Sequence, residues 1–323
     1  MRRVICGAMA LLMLCSPLPG KAWGFYGHRL INRMAVYLLP PEMMILYKPH
    51  QGFLMEHAVD PDKRRYIVKE EGPRHYMDMD HYQPWDSIPS SWSKAIEKYG
   101  EDSLYKHGIA PWWIQAVMGR LTRAFEKKDK AAILKLSADL GHYIGDIHVP
   151  LHASSNHNGQ HTGQNGIHGF WESRIPELFA EEEFDFFIGK ANYLPSVSAM
   201  AWRVIRESAK AADTVLSEEK RLSDMFPQDG KYAFEERNGL LVRQYSSAYS
   251  RTYHRQLRGM VERRMRASIQ MLANCWYTAW VNAGQPDLRS LAPLPFTPAD
   301  EREWENMNQQ WKEGAVKGRS CTN

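Results

Sequence analysis

Residues 142–172 read HYIGDIHVPLHASSNHNGQHTGQNGIHGFWE and hold six of the chain's 13 histidines. Two imidazole–carboxylate pairs, His142 with Asp146 and His168 with Glu172, stand four residues apart. Each pair acts together only on a helix, where residues four apart project from one face about one turn apart. An imidazole and a carboxylate so placed are part of a site for a borderline divalent metal such as zinc. His152 lies between the pairs, just past Pro150. Proline lacks an amide proton and disfavours helix at the residue before it. The first helix is therefore expected to end there, letting His152 turn toward a different ion from the one His142 serves. His157 and His161 fall in a Gly/Asn/Gln/Ser-rich linker and read as solvated, and His148 reads as a satisfied core histidine.

The first 22 residues have a separate purpose. Arg2 and Arg3 precede an apolar run from Val4 to Leu14, and a small-residue end follows at Gly20-Lys21-Ala22. This is the pattern of a secretory signal peptide, too short to span a bilayer, with cleavage expected between Ala22 and Trp23. No other stretch is long and apolar enough for a transmembrane helix. The expected location is periplasmic or extracellular. Cleavage would remove Arg2, Arg3 and Lys21 and lower the formal charge from +4 to about +1, so charge gives no argument for nucleic acid or membrane binding. Cys275 and Cys321 would remain, in a compartment that permits disulfides, and the sequence leaves their pairing open.

The rest of the chain, at 44% hydrophobic and 24% charged residues, reads as one all-α domain over residues 23–323. A helix is expected from near His28 to the Pro40-Pro41 stop. Residues 48–90 read as a long connection with short helical turns, a length that usually carries function. Apolar residues at helical spacing predict helices over 110–127, 130–147 and 197–218. Residues 238–283 read as one long or two abutting helices, and 285–323 as an irregular tail. No strand-like alternation is evident. Trp112, Trp113, Trp276 and Trp280 fall on helical stripes and read as core.

Each pair supplies only two ligands, so partners must come from elsewhere. His28, Asp60 and His75 are the candidates, with Asp62 and His81 as nearby rivals. Taken together, these positions resemble the superfamily of zinc-dependent phospholipases C and single-strand-specific nucleases. The separation of Trp23 from His28, the aspartate and histidine at Asp60 and His75, the His-x3-Asp-x5-His run from His142 to His152, and the His-x3-acid at His168 and Glu172 carry the likeness over residues 23–172. The resemblance implies a mostly helical fold and three Zn²⁺ ions. One would take Asp60, His75, His142 and Asp146. A second would take the freed amine and carbonyl of Trp23, His28 and a bridging oxygen of Asp146. The third would take His152, His168 and Glu172. Two such ions roughly 3.5–4 Å apart share a water held as hydroxide, which attacks a phosphodiester in line. Asp60 would orient that nucleophile or accept its proton.

Within the superfamily, Glu172 matches the phospholipase branch. Tyr26, Pro61 and Gly72, however, stand where choline-preferring phospholipases carry an acidic residue and two aromatics, so the cage a quaternary ammonium needs is missing. Lys63 matches the nuclease branch's basic residue near the scissile phosphate. Tyr76 is placed to stack a base or is a half-buried neighbour of a ligand. Arg174 is a phosphate clamp or a surface residue. The preferred reading is a secreted zinc phosphodiesterase acting on single-stranded DNA or RNA. A phospholipase C acting on phospholipid headgroups is the alternative, and a non-catalytic periplasmic zinc-binding protein is the competing class.

Overall fold

The computed structural model describes residues 24–237, 239–314 and 317. Trp23 and the segment before it, and Cys321, lie outside the described residues. The fold is all-α. In chain order the helices are α1 (Gly24–Ala35), α2 (Pro41–Tyr47), α3 (Gln51–His57), α4 (Asp60–Arg64), α5 (Trp92–Tyr99), α6 (Glu101–His107), α7 (Ala110–Glu126), α8 (Lys130–His148), α9 (Ile167–Gly169), α10 (Ile175–Glu183), α11 (Val197–Met225), α12 (Ser247–Gln256), α13 (Met260–Asn282) and α14 (Pro298–Glu313). A two-stranded antiparallel hairpin, β1 (Tyr232–Arg237) and β2 (Leu240–Tyr245), stands between α11 and α12.

Helix α8 is the axis. The Asp129 side chain caps it by accepting from the Ala132 amide at 3.0 Å, the pairing expected of an N-cap aspartate. Every residue from Ser137 to His148 is buried. A helix enclosed on all sides needs neighbours all round, and α1, α3, α7, α11 and α13 supply them. Its polar groups are matched from those neighbours. The Trp276 indole of α13 donates to the Ser137 carbonyl at 3.1 Å, and Ser208 Oγ of α11 donates to the Ile147 carbonyl at 2.5 Å. Buried apolar residues from Leu30 to Leu291 form one continuous cluster around it.

Two expectations are corrected. Residues 240–245, expected within the helical run that begins at 238, instead form strand β2 paired with β1. Asn-Gly at 238–239 is the strongest short-range hairpin signal, with Tyr232 set opposite Tyr245 and Arg237 opposite Leu240. The segment expected as an irregular tail contains α14, whose Thr297 and Asp300 form a reciprocal capping box with Pro298 at the first helical position, a strong start signal. Helix α14 lies on the α3–α4 edge. Its Trp304 ring packs against Phe53 and His57, with centroids 4.9 and 4.8 Å apart. Its Asn308 accepts from Lys63 Nζ at 2.8 Å.

The approach of α1 to α8 depends on missing side chains. A Cβ on Gly141 would fall 2.4 Å from Asn32 Nδ2, and one on Gly145 would fall 3.0 Å from His28 Nδ1. Gly141→Ala is therefore expected to force the helices apart and cost about 2 kcal/mol, the usual scale of core overpacking. Gly119→Ala on α7 meets only the far end of Arg123 at 3.5 Å and is expected to be neutral or stabilising, since alanine is the better helix former. Thermal melts of the two variants check the contrast, and equal melting temperatures would refute it.

Candidate metal centre

The α1–α8 contact places the His28 ring on the His142 ring, with centroids 3.8 Å apart. One turn further along α8, Asp146 is fully buried between them and the connection before α7. Its Oδ1 lies 3.4 Å from His28 Nε2, and its Oδ2 lies 2.9 Å from His75 Nδ1 and 3.3 Å from His142 Nε2. The two oxygens thus face two different groups of imidazoles. After α8 ends at His148, the turn Pro150–Ala153 brings His152 around to α9. There His152 Nε2 stands 3.2 Å from His168 Nε2, and Glu172 Oε2 stands 3.4 and 3.1 Å from those nitrogens. His168 and Glu172 are held on one face as α9 runs through a single π-helical turn, Phe170–Arg174, into α10.

The imidazoles are oriented from behind. His142 Nδ1 meets the Ala58 carbonyl at 2.9 Å, His152 Nδ1 the His75 carbonyl at 2.6 Å, and His168 Nδ1 the His157 carbonyl at 3.0 Å. Each carbonyl accepts from Nδ1–H, which directs Nε2 at the centre, the usual arrangement behind a metal ligand. His75 is turned the other way. Its Nδ1 points inward, and its Nε2 lies 3.8 Å from Glu71 Oε1. Glu71 is itself fixed by Arg64, Arg74 and the Tyr143 hydroxyl.

These groups are strongly coupled. Burial alone would raise the Asp146 carboxyl, but His142 and His152 hold it well below the usual carboxylate range. Burial likewise opposes ionisation of Glu172, yet His168 and His152 bring it down to about 2. Burial pushes His75 down to about 4 against the pull of Asp146, and lowers His28 with help from His142. His142 goes the opposite way. Burial works against its charge, but Asp146 and Asp62 raise it to about 9.

The structure brings His28, His75, His142, Asp146, His152, His168 and Glu172 together. It does not bring Asp60. Asp60 Oδ2 meets His57 Nδ1 at 2.6 Å and its Oδ1 meets Lys63 Nζ at 3.0 Å. Asp62 stands at the centre instead, its Oδ1 being 3.8 Å from His75 Nδ1 and 3.7 Å from His142 Nε2. Residues two apart on a helix point to roughly opposite sides, so only one of the two aspartates of α4 can face α8. Lys63 is buried with Asp60 and Asn308 rather than on the cleft. Arg174 is buried under the hairpin, where its Nε donates to the Tyr245 carbonyl at 3.2 Å and its guanidinium pairs with Glu235. Tyr76 does line the cleft, which is bounded also by Arg65, His75, Leu151, His152, His157 and His168. Its hydroxyl donates to the Lys106 carbonyl at 3.2 Å. Arg65, 3.7 Å from Asp62, is the cationic side chain on that wall. The KRR run in the sequence carries no signal that selects it over Lys63 or Arg64. His148 is a core histidine, its Nδ1 2.7 Å from the Ile144 carbonyl. His157 is half-buried in the cleft wall rather than solvated, and His161 is exposed.

The donors fit a cluster of cations. Both oxygens of Asp62, both of Glu172 and Oδ1 of Asp146 are buried and accept no hydrogen bond from a described residue. Buried carboxylate oxygens without donors are costly unless a cation faces them. Three sets, His28–His142–Asp146 and Asp62–His75–His142, which share His142, and the separate His152–His168–Glu172, each bring one donor atom per residue to within 4.8 Å of the others in the set. Nitrogen and carboxylate oxygen are the donor types of zinc sites.

Comparison with known proteins agrees with this geometry. A protein of Arabidopsis thaliana named Endonuclease 1 is 23% identical over 196 residues, which are 55% of this chain and 61% of that protein. The match spans about three fifths of the relative's length. A family model described as S1/P1 nuclease matches residues 23–273. With the match covering well over half of its length, the chain belongs to the S1/P1 nuclease family.

Proposed function

We propose that this protein is a zinc-dependent phosphodiesterase that hydrolyses single-stranded nucleic acid, secreted or periplasmic after cleavage between Ala22 and Trp23, with residues 23–323 forming one domain. The observation that carries the reading is Asp146, one buried carboxylate whose two oxygens face separate groups of imidazoles. Family membership and the name of the Arabidopsis relative support the substrate class. Among the described residues no helix is long and apolar enough to cross a membrane.

Zinc in the three donor sets would supply an activated water and neutralise charge building on the phosphate. The chain's own residues do the rest. Asp146 holds two of the sets in register, with Asp62, His75 and His142 on one side and His28 on the other. The amine and carbonyl of Trp23, freed by cleavage, would complete the His28 set. His152, His168 and Glu172 form the third set beside the open cleft. Arg65 presents a fixed positive charge for a phosphate oxygen on the same wall. Tyr76 offers an apolar face next to it, on which a base can stack.

The direct test is a hydrolysis panel on the mature chain with zinc present, comparing single-stranded DNA, RNA, phosphatidylcholine vesicles and a generic phosphodiester. Cleavage of the two nucleic acids is expected, abolished by a chelator and restored by zinc. Hydrolysis of vesicles alone would overturn the nuclease reading in favour of a phospholipase. No hydrolysis of any substrate would leave a zinc-binding protein.

Two further outcomes are expected. Asp62→Asn should lose about one zinc by elemental analysis, together with most activity. Asp60→Asn should keep its metal and lose thermal stability, because it breaks the buried bridge to His57 and Lys63. The reverse pattern would restore Asp60 as the ligand. The second outcome concerns pH. His142, raised to about 9 in the metal-free protein, is protonated at neutral pH, whereas Asp146 and Glu172 are ionised. Metal uptake must displace that proton, so affinity should fall as pH drops below 9, by about tenfold per unit for one proton. Calorimetry in two buffers of different ionisation enthalpy reads the proton released. No release at pH 7 would mean that His142 is already neutral there in the metal-free protein.

A further inference from the structure

A fourth set of donors converges outside the centre just described. Asp78 is buried three residues after His75, and its amide donates to the carbonyl of His107, the last residue of α6, at 2.8 Å. The turn Met79–His81 then folds back, with the His81 amide donating to the Asp78 carbonyl at 3.0 Å. This lays the exposed His81 ring on the His107 ring, with centroids 3.8 Å apart and planes inclined by 32°. His107 Nδ1 stands 3.7 Å from Asp78 Oδ2, and one donor atom from each of the three residues lies within 4.8 Å of the other two.

We propose that Asp78, His81 and His107 bind one divalent borderline ion of the zinc or copper type, at a site separate from the cleft. Two imidazoles and one carboxylate are a donor set such ions select over magnesium or calcium. Ligand atoms on a tetrahedral zinc stand roughly 3.3 Å apart, given bonds of about 2.0–2.1 Å. The Asp78–His107 pair is already close to that separation. His81, on an exposed turn, needs only a side-chain rotation to complete the set. Burial and the facing His81 ring lower His107 from its ordinary value, which favours the neutral, lone-pair-bearing form of that ring. Three protein ligands leave the remaining position open to solvent, which makes the ion exchangeable. Binding would fasten the 78–81 turn to the end of α6. The chain just before this turn runs along the cleft, where the Met77 amide donates to the His152 carbonyl at 2.9 Å.

The proposal is independent of how many ions the cleft holds, and its test reads a difference. The full mature chain and its His81→Ala/His107→Ala variant are dialysed against a series of free zinc concentrations and analysed for bound metal. The parent is expected to take up one equivalent more than the variant, in a weaker phase, while hydrolysis of a generic phosphodiester at limiting zinc stays the same. Cu²⁺ added after zinc saturation of the tight sites should give an electron paramagnetic resonance spectrum with nitrogen hyperfine structure in the parent only. His81→Ala alone, altering an exposed side chain, serves if the double variant folds poorly by circular dichroism. Equal uptake by parent and variant overturns the site. Loss of more than one equivalent overturns its separateness.

Discussion

A carboxylate with no access to water needs a positive charge beside it, and Asp146 sits in the wholly buried C-terminal part of α8. Transferring such a charge out of water costs several kcal/mol unless paired. In the metal-free chain the pairing comes from a proton on His142, and in the loaded chain it would come from metal. The centre is therefore built around a cation of one kind or the other. The scaffold follows from that need. Three backbone carbonyls hold imidazole rings in one orientation, and the Arg64–Glu71–Tyr143 network fixes the segment carrying His75 from outside.

The second requirement is proximity. His28 reaches the cluster only because α8 lacks side chains at Gly141 and Gly145, where α1 lies against it. Close packing and ligand placement are thus one event, and a gain in helix propensity at either glycine would work against the centre. The glycines also explain why so polar a stretch of α8 tolerates complete burial. Its neighbours come near enough for their own backbone and side-chain groups to meet its needs.

The sequence made much of this visible, and for identifiable reasons. The i,i+4 pairs His142/Asp146 and His168/Glu172 carry their geometry in their spacing, because helix periodicity is local. The break at Pro150 is local too. Asp60 against Asp62 was undecidable from spacing, since D-P-D offers two carboxylates on opposite sides of one short helix, and only the tertiary position of α8 selects between them. The choice of Arg65 from the KRR run is hidden for the same reason. Other misses were legible signals outweighed by a neighbouring pattern. Asn238-Gly239 marks a hairpin, but it adjoins the long helical run that follows. Thr297-Pro-Ala-Asp300 marks a helix start, but it is embedded among prolines that suggested irregularity.

Helix α14 also has a consequence for the order in which the molecule is completed. Lys63, beside the aspartate that faces the cluster, takes its outer support from Asn308, 245 positions later, and the Arg65 carbonyl accepts from the Lys317 amide at 2.8 Å. Contacts so distant in sequence form late, after the entropy of closing the intervening chain has been met. During synthesis the histidines of the centre emerge well before the segment that braces α4. A nascent chain therefore passes through a stage in which the histidines of the centre are present but their outer wall is not, and the finished pocket waits on the segment around Asn308 and Lys317.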